Sequence, residues 1–281
     1  MGQFDWRRMR EYWEEHDRRW TPTLDRDADP YGLANVCFVG APRQVNRRHA
    51  AEQERTFREL LSTADFDRHK RALDVGCGGG RWSSLLADLG FEVTGIDLQS
   101  NLLKYAAERD HRVNFVHTDI QSFSSERSFD LIVSVTVLQH LPDSEQAVAI
   151  AKIRELLSPG GYVLVLENTR DRGSHVFARP ASRWVSLFGE QGFQTIKIRP
   201  YSPVLATGVL GALRKAASAT IRKSPPDSPQ AQVSRFSQEG PGHTVLSIAL
   251  RAASALDAGL ASLLPARLLP YSHVGLLFRA T

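Results

Sequence analysis

The segment Ala72-Leu73-Asp74-Val75-Gly76-Cys77-Gly78-Gly79-Gly80-Arg81 constrains this chain more than any other. A short β-branched run ends in a glycine cluster and passes directly into a helix-like stretch. Glycines at such a junction permit a tight turn and let a ligand come close to the backbone. The spacing is G-x-G-x-G at Gly76, Gly78 and Gly80, preceded by the acidic Asp74. A dinucleotide fingerprint would need glycine where Arg81 stands, and no G-x-x-x-x-G-K-S/T phosphate loop occurs.

The rest of the middle third keeps the same rhythm. RALDVGC, FEVTGID, VNFVHTD, FDLIVSV and YVLVLEN read as strands at about 71–77, 91–97, 113–119, 129–135 and 162–168. RWSSLLADLG, SNLLKYAAERD and SEQAVAIAKIRELL read as the helices between them. Alternating strands and helices predict a parallel sheet covered on both faces, and the nearly continuous apolar runs fit strands buried on both sides. Leu157-Ser158-Pro159-Gly160-Gly161 reads as a helix stop and turn. ASRWVSLFGEQG then predicts a helix, FQTIKIRPY a strand, and HVGLLFRA at 273–280 a last strand. The fold class is α/β.

The second strand would end in Asp97 and the third in Asp119, followed by Ile120. An acidic side chain at the tip of a second strand can accept hydrogen bonds from both ribose hydroxyls. A plain strand-end turn residue is the alternative at each position. Joined to the glycine turn in one register, the two aspartates point to a bound ligand.

These stretches together resemble the class I S-adenosylmethionine-dependent methyltransferases. LDVGCGGGRW, VTGIDLQ, TDIQSF, FDLIVSVTVLQHL and LLSPGGYVLVLE carry the resemblance over about residues 70–168, with FGEQGF and HVGLLFRA matching later elements more loosely. The resemblance implies a Rossmann-like seven-stranded sheet whose last strand inserts antiparallel. It implies S-adenosyl-L-methionine as cofactor, its methionine part held by Asp74 and the Gly76–Gly80 turn. Asp97 would bind the ribose beside Leu98, Asp119 and Ile120 would flank the adenine, and Ser134 and Val135 would lie beneath the sulfonium.

His140 follows the fourth strand in VLQHLPD, at the carboxyl edge where open α/β sheets bind ligands. Some sugar and natural-product O-methyltransferases that resemble this segment use such a histidine as base; helix capping or packing is the alternative. Glu167, at the tip of the fifth strand, could hold an acceptor hydroxyl, assist as base or make a strand-end hydrogen bond. Tyr12 and Trp13 could close over the cofactor or pack a helix core. No His/Asp/Glu spacing demands a metal, which disfavours metal-dependent catechol-type chemistry. The expected reaction is O-methylation of a sugar, glycoside or other natural product, with N- or C-methylation of a natural product, isoprenoid or lipid-linked acceptor as the rival. A cofactor-binding protein without transferase activity is the reading from a different class.

The expected organisation is a helical N-terminal cap over 1–70, a core over 71–202 plus 270–281, and a helical insertion over 203–269 between the last two strands. The 35 Lys+Arg and 31 Asp+Glu hide an uneven distribution: 14 against 13 over 1–72, 8 against 13 over 73–170, and 13 against 5 over 171–281. Arg214, Lys215, Arg222 and Lys223 make the insertion basic, and Ala249, Ala253, Leu256, Leu260 and Leu263 recur as one apolar face. The insertion reads as a lid, as a surface for a membrane or lipid-linked substrate, or as an oligomer contact. No interleaved aromatic-basic module suggests nucleic acid. Cys37 and Cys77 are too few for a disulfide scaffold. No apolar run of about 18 residues predicts a spanning helix, and the charged amino-terminal residues predict no secretory leader; a cytoplasmic location is expected.

Overall fold

A computed structural model describes residues 11–13, 15, 43–66, 70–170, 176–204, 248–249, 252–253, 255–257, 259–260, 263 and 270–281. Readings on Cys37, on the cap loop DRDADPYGLANVCFVGAPRQ (25–44) before its last two residues, on Arg214, Lys215, Arg222 and Lys223, and on SPPDSPQAQ lie outside the described residues.

Helix α1 (Arg43–Leu61) leads into β1 (Arg71–Val75), α2 (Arg81–Asp88), β2 (Glu92–Asp97), α3 (Ser100–Arg109) and β3 (Asn114–His117). There follow β4 (Phe129–Val135), a 3₁₀ turn (Leu138–His140), α4 (Asp143–Leu156), β5 (Leu157–Asn168), α5 (Ala181–Glu190), β6 (Phe193–Pro203) and β7 (Tyr271–Ala280). The seven strands form one sheet in the order β3-β2-β1-β4-β5-β7-β6. Neighbours from β3 through to β5 run parallel, and β7 is antiparallel to β5, pairing Tyr162 with Arg279 through to Asn168 with His273. The carboxyl ends of β1, β2 and β4 therefore share one edge, with the order reversing between β1 and β4, where open α/β sheets hold ligands.

Burial explains the strands. Leu73, Val75, Ile132, Val163 and Val165 enter one core with Ile150, Ile153, Trp184 and Phe188 from the covering helices. Phe188 stacks on Phe278 of β7, centroids 4.2 Å apart. On α1, Phe57 stacks against Trp82 of α2 at 4.5 Å. β7 holds Gly275 where a β-carbon would lie 2.7 Å from Thr56 Cγ2 and 2.8 Å from Leu60 Cδ1, so the lack of a side chain lets α1 approach the strand.

Two expectations need correction. β3 stops at His117, so Asp119 lies two residues past the strand, in the turn that follows. The LSPGG segment stops α4 at Leu156 as expected, but it is not a free turn. Phe129 pairs with Leu157 and Leu131 with Tyr162, so Ser158–Gly161 bulge out within β5, Gly160 taking φ +72°.

The chain divides into two compact units, Met1–Gly32 with Arg55–Arg199 and His273–Thr281, and Leu33–Glu54 with Pro200–Ser272. In the second unit, Ser202 Oγ lies 2.9 Å from His49 Nδ1 and 3.0 Å from Glu52 Oε2. Among the described helical residues between 248 and 263, the expected apolar stripe is half-buried to exposed. Asp257 is buried and partnered, whereas Leu256 and Leu263 are 56% and 80% exposed. Periodicity finds a stripe but does not say that the stripe faces inward. No helix of the described residues is long and apolar enough to cross a membrane.

Candidate active site

The glycine turn is built by hydrogen bonds that only a compact backbone can make. The Gly76 and Cys77 N–H groups both donate to Ile96 O, at 2.8 and 3.0 Å, and Gly80 N–H donates to Cys77 O at 2.9 Å. Gly76 and Gly80 adopt φ +68° and +80°, in the left-handed region. A β-carbon on Gly76 would sit 2.3 Å from Val137 Cγ2, and one on Gly80 3.0 Å from Ala106 Cβ. Conformation and space both demand glycine there.

Asp97 locks this turn to the tip of β2. Its Oδ2 accepts from Gly78 N–H and its Oδ1 from Gln99 N–H, each at 2.8 Å. Asp74 pairs laterally with Gly95, two residues before Asp97, so both aspartates face the same side of the sheet. Asp74 Oδ2 accepts from Ser83 Oγ at 2.6 Å, in the first turn of α2. Its Oδ1 is buried and has no hydrogen-bond partner. Burial, opposed by the Ser83 bond and reinforced by the Asp97 charge, raises its pKa from 3.8 to about 7. Burial likewise pushes the Cys77 thiol well up, with Asp74 and Asp97 adding to the shift, which disfavours its thiolate.

The remaining predicted residues fall into two groups. Leu98 is half-buried and its carbonyl lies 2.9 Å from His117 Nε2. Asp119 turns back on its own loop, accepting from Ser122 N–H and Ser122 Oγ, while Ile120 is buried. Val135 is the last residue of β4. Ser134 pairs with Val75 and so faces away from Asp74; its buried hydroxyl has no hydrogen-bond partner. The structure brings Asp74, the glycine turn and Asp97 together, but turns the Ser134 side chain to the opposite face.

After β4 the chain passes through Thr136, a β-branched residue at φ +59°, into the 3₁₀ turn that ends in His140. The half-buried His140 ring meets the Trp13 ring edge-on, with centroids 5.0 Å apart, and Tyr12 stands edge-on to Trp13 at 5.1 Å. Trp13 therefore packs on the histidine. Glu167 is fully buried and accepts from the N–H groups of Val137, Leu138 and Gln139 at 3.3, 3.1 and 3.2 Å. Burial raises its pKa from 4.5 to about 8, against the pull of those three donors.

Sequence reasoning missed four residues here. Ser83 orients Asp74, and its place in the first turn after the glycines was the available signal. Gly95 leaves room for Phe115 and Cys77, which a β-carbon would meet at 2.9 and 3.0 Å. Gln139 Oε1 accepts from Asn168 N–H at 2.9 Å, and Gln146 Nε2 donates to Leu138 O and Leu141 O at 3.1 and 2.8 Å. Nothing in the sequence marks these two as buried.

A family model described as a methyltransferase domain matches residues 72–161. The ubiquinone biosynthesis O-methyltransferase of Nitrosospira multiformis is 30% identical over 169 residues, covering 56% of this chain and 68% of that protein. The chain belongs to the S-adenosylmethionine-dependent methyltransferases. The enzyme of the same description from Aromatoleum aromaticum is 35% identical over 39% of this chain and 48% of its own, so the chain spans about half the length of that relative. Among solved structures, the N-methyltransferase NodS from Bradyrhizobium japonicum, in complex with S-adenosyl-L-homocysteine, superposes with a TM-score of 0.55 at 19% identity, over 95% of this chain and 97% of that one. The [4+2]-cyclase SpnF superposes with a TM-score of 0.53 at 21% identity, over 85% and 82%. At such identities the likeness speaks for the fold alone.

The family's cofactor, S-adenosyl-L-methionine, fits the residues present. The buried, unpartnered Asp74 Oδ1 is an acceptor suited to an ammonium donor, and the glycine turn leaves backbone open to close approach. Asp74 and the turn would hold the amino-acid end, and Asp97 the ribose. The bound cofactor supplies an electrophilic methyl group on a sulfonium.

Proposed function

We propose that this methyltransferase acts on a hydroxyl oxygen of a small-molecule acceptor and that His140 takes the hydroxyl proton. As the acceptor oxygen bonds the methyl carbon, the carbon–sulfur bond breaks, sulfur keeps the electron pair and the proton passes to the imidazole. The observation that carries this reading is the placement of His140: on a turn at the carboxyl edge, braced from below by Glu167 and flanked by Trp13. The relatives' description as O-methyltransferases supports oxygen as the accepting atom. Their assignment to ubiquinone biosynthesis adds a hydroxylated quinone precursor to the sugars, glycosides and natural products expected from the sequence. The other residues position and exclude water, which is most of what an in-line methyl transfer needs.

The test is His140→Ala assayed with labelled cofactor and a panel of phenols and glycosides. Loss of a general base predicts a fall in kcat of about 10²–10⁴-fold with cofactor affinity unchanged. Turnover near that of the parent removes His140 as the base.

A lipid-linked acceptor is a second reading. It is supported by the exposure of Ile248, Leu256 and Leu263 in the insertion. Sedimentation with anionic vesicles, lost on replacing all three by serine, is the expected result.

A further inference from the structure

We infer that Glu167 is a positioning residue for His140: its two carboxyl oxygens gather the backbone N–H groups of Val137, Leu138 and Gln139 and so set the turn that aims the imidazole. The inference rests on His140 being the base and names the residue that holds it in place.

The N–H groups at the start of a helical turn have no partner within it. Here they would be stranded in a buried place, since Leu138 and Gln139 are buried. Glu167 reaches them from the end of β5, with Oε1 taking Val137 and Leu138 and Oε2 taking Gln139. The same turn is tied down from other sides. Gln139 Oε1 holds Asn168 N–H beside Glu167, Gln139 O accepts from Phe177 N–H at 2.6 Å, and Gln146 spans Leu138 O and Leu141 O. Thr136 enters the turn at positive φ and donates its N–H to Leu166 O at 2.7 Å. A β-branched residue holds that conformation only where its surroundings fix it. His140 ends this braced segment, its N–H donating to Val137 O at 3.0 Å. A displacement of the turn by an ångström would carry the imidazole with it, and such misplacement can cost about 10²-fold in rate.

The geometry also separates Glu167 from direct chemistry. Both its oxygens face main-chain donors and its side chain has no exposed surface, so an acceptor hydroxyl cannot reach it. Glu167 acts through the turn.

The test is a double-mutant cycle of Glu167→Gln and His140→Ala, with kcat, acceptor KM and cofactor affinity measured for each protein. Glu167→Gln keeps the shape but sets an amide N–H against a backbone N–H. The expected result is a kcat lowered by about 10–100-fold with cofactor affinity unchanged, and no further loss when the change is added to His140→Ala. Glu167→Asp, one methylene shorter, repeats the cycle should the glutamine variant not fold, with a smaller loss that again vanishes in the His140→Ala background. Loss in His140→Ala together with an equal, additive loss from either Glu167 variant overturns the inference while leaving the base in place. Full activity of the Glu167 variants overturns it as well. Parent-like turnover of His140→Ala overturns both readings.

Discussion

At Gly76 two requirements coincide, a left-handed backbone and no room beside Val137. Gly76→Ala should lower stability by about 2–4 kcal/mol, combining the left-handed penalty with overpacking, read as a shift in the urea midpoint. Adding Val137→Ala should recover the steric part but not the conformational part. Asp74 and Glu167 make a separate residue-scale prediction. Both carry pKa values raised by burial, to about 7 and about 8 from 3.8 and 4.5. The folded protein thus binds protons that the unfolded chain has already released. Their contribution to stability is complete below about pH 4 and is lost as pH rises through 7 and 8, at up to about 1.4 kcal/mol per pH unit for each proton difference. The urea midpoint should fall between pH 5 and pH 8. Asp74→Asn and Glu167→Gln should each flatten that fall.

At the scale of elements, the glycine turn, the tip of β2 and the turn after β4 act as preassembled pieces. Asp97 joins the first two through Gly78 N–H and Gln99 N–H. Asp97→Ala should weaken cofactor binding by about 10–100-fold, as the Gly78 and Gln99 N–H donors, the latter buried, lose their acceptor; titration calorimetry would measure it. Residues with local demands were legible in the sequence: Gly76, Gly78 and Gly80 because a strand-to-helix turn needs them, Asp97 because it ends an apolar run. Residues whose role depends on distant chain were not. Glu167 could be read as a strand-tip acid, but its three donors lie 28–30 positions earlier. Ser134 could be placed at the end of β4, yet only the pairing with Val75 shows which face it takes. The apolar repeat across 248–263 was visible; that Asp257 is buried was not.

For the whole molecule, the insertion of β7 between β5 and β6 makes the far end of the chain part of the core. Val274, Leu276, Leu277 and Phe278 are all essentially buried. Truncation before Tyr271 should yield no cooperatively folding protein by calorimetry, because it exposes the β5 edge and removes one side of the Phe188–Phe278 stack. The same sheet brings two elements to one edge, the glycine turn after β1 and, after β4, the histidine proposed as the base. The most direct measurement is therefore methyl transfer itself. The protein and its His140→Ala variant are each incubated with methyl-labelled S-adenosylmethionine and hydroxylated acceptors, and the product is resolved by mass spectrometry. The expected result is a labelled methyl ether from the parent protein, at least 10²-fold slower from the variant, with equal cofactor affinity in both. Label on nitrogen or carbon, or a variant as fast as the parent, would contradict it.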